Sequence, residues 1–208
     1  MLAYLEKLPD EKHWWYIEVP RTGSSTMMRV LQKQFKCNAT AAKHWPVLPA
    51  PSFLEEAVSV IGVRNPYSRA LSCYQFFTVP GEITFQQWLV DRLDNSFFDW
   101  SIEARPQTYW YDLHTNWDFV LRQEELREDY FKFLQKVSPR LAQVLPLELQ
   151  RYNSINGSWH NRRQKRTQRL RPWQTYFDRE TKKLTEELYE EDFIALQPYY
   201  ERPFDETL

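Results

Sequence analysis

Glycine is scarce, at four in 208 residues. With so few places where the backbone enters left-handed space freely, a glycine in a conspicuous loop is expected to have a conformational reason. Two cysteines, Cys37 and Cys73, are too few for a disulfide scaffold and fit a reducing compartment. Neither sign of charge is in excess. A formal net charge of −1 argues against a whole-molecule electrostatic binder of nucleic acid, so any anion site has to be local. No apolar run approaches the roughly 20 residues of a membrane helix. Residues 1–10 lack the basic start and apolar centre of a secretory signal. The expectation is a soluble, cytoplasmic protein with no membrane span and no nucleic-acid partner. Two phosphate-binding signatures are also missing. There is no Gly-x-Gly-x-x-Gly, and no Gly followed after four residues by Gly-Lys-Ser/Thr.

What is present is a globular composition, 42% hydrophobic, long enough for one domain with a sizeable core. The nine tryptophans exceed what a core alone requires and leave candidates for a ring-binding surface. Residues 1–13 read as a polar lead-in. The run 14–19 is a buried strand, and 24–35 has the helical spacing Met27, Met28, Leu31, Phe35. Residues 36–56, with three prolines, read as loop. Ala57 to Val63 is apolar on both faces, as a central parallel strand is. Asn65 then caps a helix that has Pro66 at its first position. Thr84 and Gln87 form a capping box for the next helix. Residues 94–116 read as irregular, 117–121 as a third strand, and 124–137 as an amphipathic helix. Residues 146–172 are loop-like, and 178–196 carry the last helix. Strands separated by helices predict an α/β fold, a single domain over 1–208 with a mainly parallel central sheet flanked by helices.

The stretch from Tyr16 to Arg29 organises the rest. A strand, a short loop with one glycine, and a helix make a phosphate cradle, because the amides and the positive helix end face an anion. Arg21 and the hydroxyls of Thr22, Ser24, Ser25 and Thr26 add donors around Gly23. The second strand ends similarly, Val63 running into Arg64. Ligands of open α/β sheets bind beyond the carboxyl ends of the strands. Neighbouring strands would therefore bring Arg21 and Arg64 to one edge. Ser72, eight residues after Arg64, is a second partner for the anion that Arg64 takes. The ligand implied is a nucleotide with two separated anionic groups.

These residues resemble a known family. The run Pro20-Arg21-Thr22-Gly23-Ser24-Ser25-Thr26-Met27-Met28-Arg29 resembles the 5′-phosphosulfate loop of sulfotransferases that use 3′-phosphoadenosine 5′-phosphosulfate (PAPS). The run from Val63 to Tyr74 resembles their 3′-phosphate motif, in which an Arg and a Ser eight residues later hold that phosphate; here these are Arg64 and Ser72. Pro106 to Tyr109, Asp118 to Leu126 and Tyr189 to Phe193 are similar to stretches of the carbohydrate branch, the heparan- and chondroitin-type enzymes. The resemblance implies a P-loop-like fold. It implies sulfuryl transfer from PAPS, leaving the bisphosphate nucleotide PAP, to an acceptor hydroxyl, on a carbohydrate by branch, with no metal required. Most of the family has Lys where Arg21 stands. The tyrosyl-protein sulfotransferases look closer there, with a loop Arg and a second Arg matching Arg29. As a permanent cation, Arg21 is expected to act electrostatically rather than by giving up a proton.

A base has to take the acceptor's proton. His44 is the choice, matching by place and type the His of the heparan 2-O-type branch; the plain alternative is a loop His packed on Trp45. Lys43 reads either as a sulfate ligand or as a solvated charge, and His114 is a second base candidate. The basic cluster 162–171 reads as a loop over the 3′-phosphate, with Arg163 and Lys165 named as ligands, or as a solvated charge run. Glu124 and Glu125 read as ordinary helix-start acids. Trp110, Tyr111 and Trp117 read as core or as an acceptor-lining surface, and Cys73 as a small apolar residue. Two other functions are weighed against transfer: a P-loop-like nucleotide kinase or nucleotidase, and a non-catalytic nucleotide- or polyanion-binding module.

Overall fold

The computed structural model describes residues 2–4, 14–35, 38–39, 57–79, 81–94, 102–110, 117–142 and 173–200. The chain forms two compact units, each discontinuous in sequence: Met1–Arg64 with Tyr109–Ile155, and Asn65–Thr108 with Asn156–Leu208.

The first unit holds the sheet. Its strands are β1 (Leu2–Tyr4), β2 (Trp14–Ile17), β3 (Asn38–Ala39), β4 (Val58–Val63) and β5 (Phe119–Arg122), in the order β3-β1-β2-β4-β5. The three strands expected from apolar runs are the parallel core. Trp14 pairs with Val58 and Ile17 with Ile61, and further on Val60 pairs with Phe119 and Val63 with Arg122. The antiparallel pair β1–β3 is a correction. Residues 1–13 are not only a lead-in, since Leu2–Tyr4 pairs with Trp15–Ile17 and then with β3. Three residues are too few for an alternation to show, and the partners that make them a strand lie far along the chain.

On the parallel strands, the even-numbered Trp14, Tyr16, Val58 and Val60 of β2 and β4 and the odd-numbered Phe119 and Leu121 of β5 share one cluster. Helix α1 (Ser24–Phe35) gives it Met27, Met28, Val30 and Leu31. Helix α4 (Leu126–Val137) gives it Leu126, Tyr130, Phe133, Leu134 and Val137. The rings of Trp14 and Phe133 meet edge-on at 5.8 Å. Truncating a ring so buried, as in Phe133→Ala, costs about 3–5 kcal/mol. The odd-numbered residues of β2 and β4 are buried as well, which is why both strands read as largely apolar on both faces, Ser59 being the polar exception in β4. At the other end of the sheet, Asp118 accepts from the amide and the hydroxyl of Ser59, both at 2.8 Å, and ties the start of β5 to β4.

The second unit is helical: α2 (Pro66–Phe77), α3 (Phe85–Asp94), α6 (Arg179–Leu188) and α7 (Glu190–Leu196), with 3-10 turns at Ile102–Ala104 and Gln107–Trp110, the latter running into the first unit; the short α5 (Pro139–Ala142) belongs to the first. Both local helix starts follow the expected chemistry. The Asn65 side chain accepts from the Tyr67 amide with Pro66 behind it. Thr84 N donates to Gln87 Oε1 at 3.0 Å while Gln87 N donates to Thr84 Oγ1 at 3.1 Å. The expected helix over 178–196 is broken at Tyr189. Its buried ring sends the hydroxyl to the Ala104 carbonyl at 2.9 Å, and its backbone leaves helical geometry to reach it.

Arg69 and Asp192 are both fully buried and pair at 3.9 Å. Arg69 also donates to the carbonyls of Glu103 and Arg105, and Asp192 accepts from the amides of Gln107 and Thr108 at 2.8 and 2.9 Å. Burial raises the Asp192 carboxyl pKa above its ordinary value, against the opposing pull of Arg69 and these amides. The stretches around residues 69, 107 and 192, separate in the sequence, are one buried polar cluster. Removing either ion leaves the other uncompensated, at about 3–5 kcal/mol.

Candidate functional site

All three parallel strands deliver an arginine just beyond or at their carboxyl end: Arg21 after β2, Arg64 after β4 and Arg122 at the end of β5. Arg122 is committed to the fold. Its Nε and Nη2 donate to the two carboxylate oxygens of buried Asp129 at 2.8 and 2.7 Å, and Glu125 joins at 2.6 Å. The Arg122 amide bonds Asp129 as well, so this ion pair fastens β5 to the first turn of α4. Arg21 and Arg64 are half-buried and meet differently: Arg64 Nη1 donates to the backbone carbonyl of Arg21 at 3.2 Å.

The loop between β2 and α1 is shaped by two left-handed residues, Arg21 at φ +68° and Gly23 at φ +82°. For Gly23 this conformation is free. For Arg21 it costs about 1–2 kcal/mol. Thr22 between them is buried, and its hydroxyl donates to the Val19 carbonyl at 2.8 Å, so it closes the loop on itself. A side chain at position 23 would stand 3.1 Å from Gln123 Cγ, so the residue following β5 packs against the loop. Helix α1 begins at once. Thr26 N and Met27 N both return to the Gly23 carbonyl, while the amides of Ser24 and Ser25 precede any intrahelical acceptor. No acidic residue occupies its first turn. Two amides, a helix N-terminus and Arg21 with Arg64 at the same edge suit an oxyanion.

Of the predicted loop residues, Ser25 is exposed and Thr26 half-buried, whereas Ser24 is buried with its hydroxyl donating to Glu18 Oε1 at 3.2 Å. Glu18 was not singled out in the sequence, where a single acid at a strand end carries no pattern. Beneath the loop lies another unforeseen feature, the Tyr16 hydroxyl. It is fully buried without a hydrogen-bond partner among the described residues, close over Gly62. Burial, with the Glu18 charge adding to it, raises the Tyr16 pKa well above the ordinary phenol value.

Ser72 is half-buried on α2 of the second unit. His44, Lys43, His114, Tyr111, Arg163, Lys165 and the rest of the basic cluster lie outside the described residues. Trp110 is buried and packs edge-on to Tyr109, which favours its core reading; Trp117 is half-buried against Trp15. Glu124 and Glu125 are exposed in the turn before α4, and Cys73 is buried among apolar residues. Among the described residues, no helix is long and apolar enough to cross a membrane, and no group of three or more His, Cys, Asp or Glu is placed to hold a metal. One family model, that of the sulfotransferase family, matches residues 8–199, which takes in both units. No curated protein and no solved structure matches the chain significantly.

Proposed function

The chain belongs to the sulfotransferase family, and from this premise we propose that it moves a sulfuryl group from PAPS to an acceptor hydroxyl, on a carbohydrate by resemblance, with both units forming one sulfotransferase domain. The observation that carries the reading is the bond from Arg64 to the Arg21 carbonyl. It sets the cation proposed for the 3′-phosphate directly beside the loop proposed for the 5′-phosphosulfate.

PAPS supplies the activated sulfuryl group when bound. Residues of the chain do the rest. The loop amides and the hydroxyls of Ser25 and Thr26 hold the 5′-side oxygens, with Thr22, Gly23 and Ser24 setting the loop's shape. Arg21 stabilises charge that develops on the leaving bridging oxygen. Arg64, with Ser72, holds the 3′-phosphate, and Arg163 and Lys165 belong to a loop over it. His44 takes the proton of the acceptor hydroxyl. Fixing donor and acceptor in line provides the remaining rate.

The test is calorimetry with PAP and with ATP, each in EDTA and in Mg²⁺. PAP binding that ignores EDTA supports the reading, whereas Mg²⁺-dependent ATP binding alone supports a kinase or nucleotidase. Arg64→Ala is expected to weaken PAP by about 2–5 kcal/mol, the usual loss for a buried charged pair. Unchanged PAP affinity removes Arg64 from the site.

A further inference from the structure

Arg64, proposed above as a phosphate ligand, also makes a contact within the protein. Its Nη1 donates to the carbonyl of Arg21, 43 residues earlier in the chain, in the loop after the neighbouring strand. Arg21 is a non-glycine residue in left-handed geometry, a conformation that persists only where the surroundings enforce it. A peptide group is planar and trans, so its C=O and N–H point in opposite directions. Fixing the Arg21 carbonyl therefore fixes the direction of the Thr22 amide. Thr22 is itself pinned by its hydroxyl on the Val19 carbonyl. The peptide between residues 21 and 22 is thus held from both sides, with Arg64 as the outer support.

We propose that Arg64 is a positioning residue for the 5′-phosphosulfate loop as well as a ligand of the 3′-phosphate, so that one guanidinium couples recognition of the nucleotide's 3′ end to the geometry at its 5′ end. This rests on the sulfotransferase reading of the site. A guanidinium has five donors in a fixed fork. One can stay on the carbonyl while others take a phosphate, and a phosphate that immobilises the fork also immobilises the carbonyl. The strained residue so held is Arg21, the cation assigned to the leaving oxygen. A nucleotide that lacks the 3′-phosphate leaves that support looser.

The experiment separates the two roles with a ligand that cannot touch a 3′-phosphate site. Binding of AMP, which has only the 5′-phosphate, and of PAP is measured for wild type, Arg64→Ala and Arg64→Met. Hydrogen exchange of the peptide covering residues 19–27 is followed without nucleotide. Arg64→Met keeps the apolar stem and guards against a folding defect. The expected result is that both variants lose loop protection and AMP affinity by about tenfold, the scale of one charge-assisted hydrogen bond, with a larger loss for PAP. Wild-type loop protection and AMP affinity alongside weakened PAP would overturn the proposal, leaving Arg64 a phosphate ligand only. If wild type binds neither nucleotide, the sulfotransferase reading of the site fails instead, and unchanged loop exchange in the variants would then sink the positioning role separately.

Discussion

Replacing Gly23 by alanine tests the cradle with an internal control. At φ +82° an L-residue is held in left-handed space, which costs about 1–2 kcal/mol. The added Cβ would meet Gln123 Cγ at 3.1 Å and Leu126 Cδ2 at 4.0 Å. Gln123 is half-buried and flexible, so turning it off its rotamer adds about 0.5–1.5 kcal/mol. The sum, about 1.5–3.5 kcal/mol, corresponds to a fall in Tm of about 3–14 °C for a chain of this length. Gly81 has the same requirement, φ +91°, but a Cβ there meets nothing within 4 Å. Gly81→Ala should therefore show the conformational cost alone, about 1–2 kcal/mol, and no change in nucleotide binding. Gly23→Ala should lose more stability and, because its neighbours are the amides proposed to hold the 5′-side oxygens, PAP affinity as well. Differential scanning fluorimetry and calorimetry read both. Equal Tm losses and equal PAP affinity in the two variants would refute the close packing of the loop on Gln123 and its part in binding.

Other expectations follow from particular contacts. Tyr16→Phe removes a buried hydroxyl that has no hydrogen-bond partner among the described residues and should leave stability equal or higher by about 1 kcal/mol; a clear loss in urea unfolding would mean the hydroxyl is satisfied. Gly62→Ala puts a Cβ 2.7 Å from that oxygen and should destabilise by about 1–3 kcal/mol, with part of the loss restored in the double variant with Tyr16→Phe. His44→Ala should abolish most acceptor-dependent turnover while sparing PAP binding; near-wild-type turnover across the pH range removes it as the base. Asp178, which caps α6 by accepting from the Thr181 amide and hydroxyl, has its pKa held below the ordinary carboxylate value by those bonds. Its contribution is present above the unfolded pKa and lost as pH falls through the lower folded one. The Tm advantage of wild type over Asp178→Asn should thus shrink on acidification; an advantage constant from pH 7 to 3 would contradict it.

Features governed by neighbours in sequence were legible. The Asn65–Pro66 start and the Thr84–Gln87 box depend on groups two or three residues apart, and the structure has both. The buried parallel strands announced themselves because both faces are apolar. Leu2–Tyr4 was invisible because its status depends on residues 15–17 and 38–39. The break at Tyr189 was hidden because nothing local opposes a helix there; a carbonyl 85 residues away decides it. At the site, the loop and Arg64 could be named from their motifs, but their mutual contact could not. Nor did either motif indicate that Arg122, the third arginine at a strand end, is occupied by Asp129. The acids three and seven residues after it are the signal that could have said so.

The Arg69–Asp192 cluster also bears on the order in which the molecule assembles. The bonds from Gln107 and Thr108 to Asp192 span 85 and 84 residues, and Arg69 enters the chain far earlier still. During synthesis the helix carrying Arg69 therefore waits for its counter-ion until residue 192 has been made. Closing so long a loop delays the reward of the contact. The first unit's parallel strands find all their pairing partners by residue 122. Folding on the ribosome should be sequential, with the sheet side able to form first and the helical side locked only once Asp192 is available. A chain halted shortly before residue 192 would be expected to carry a formed β2–α1 loop while its helical unit resists proteolysis poorly.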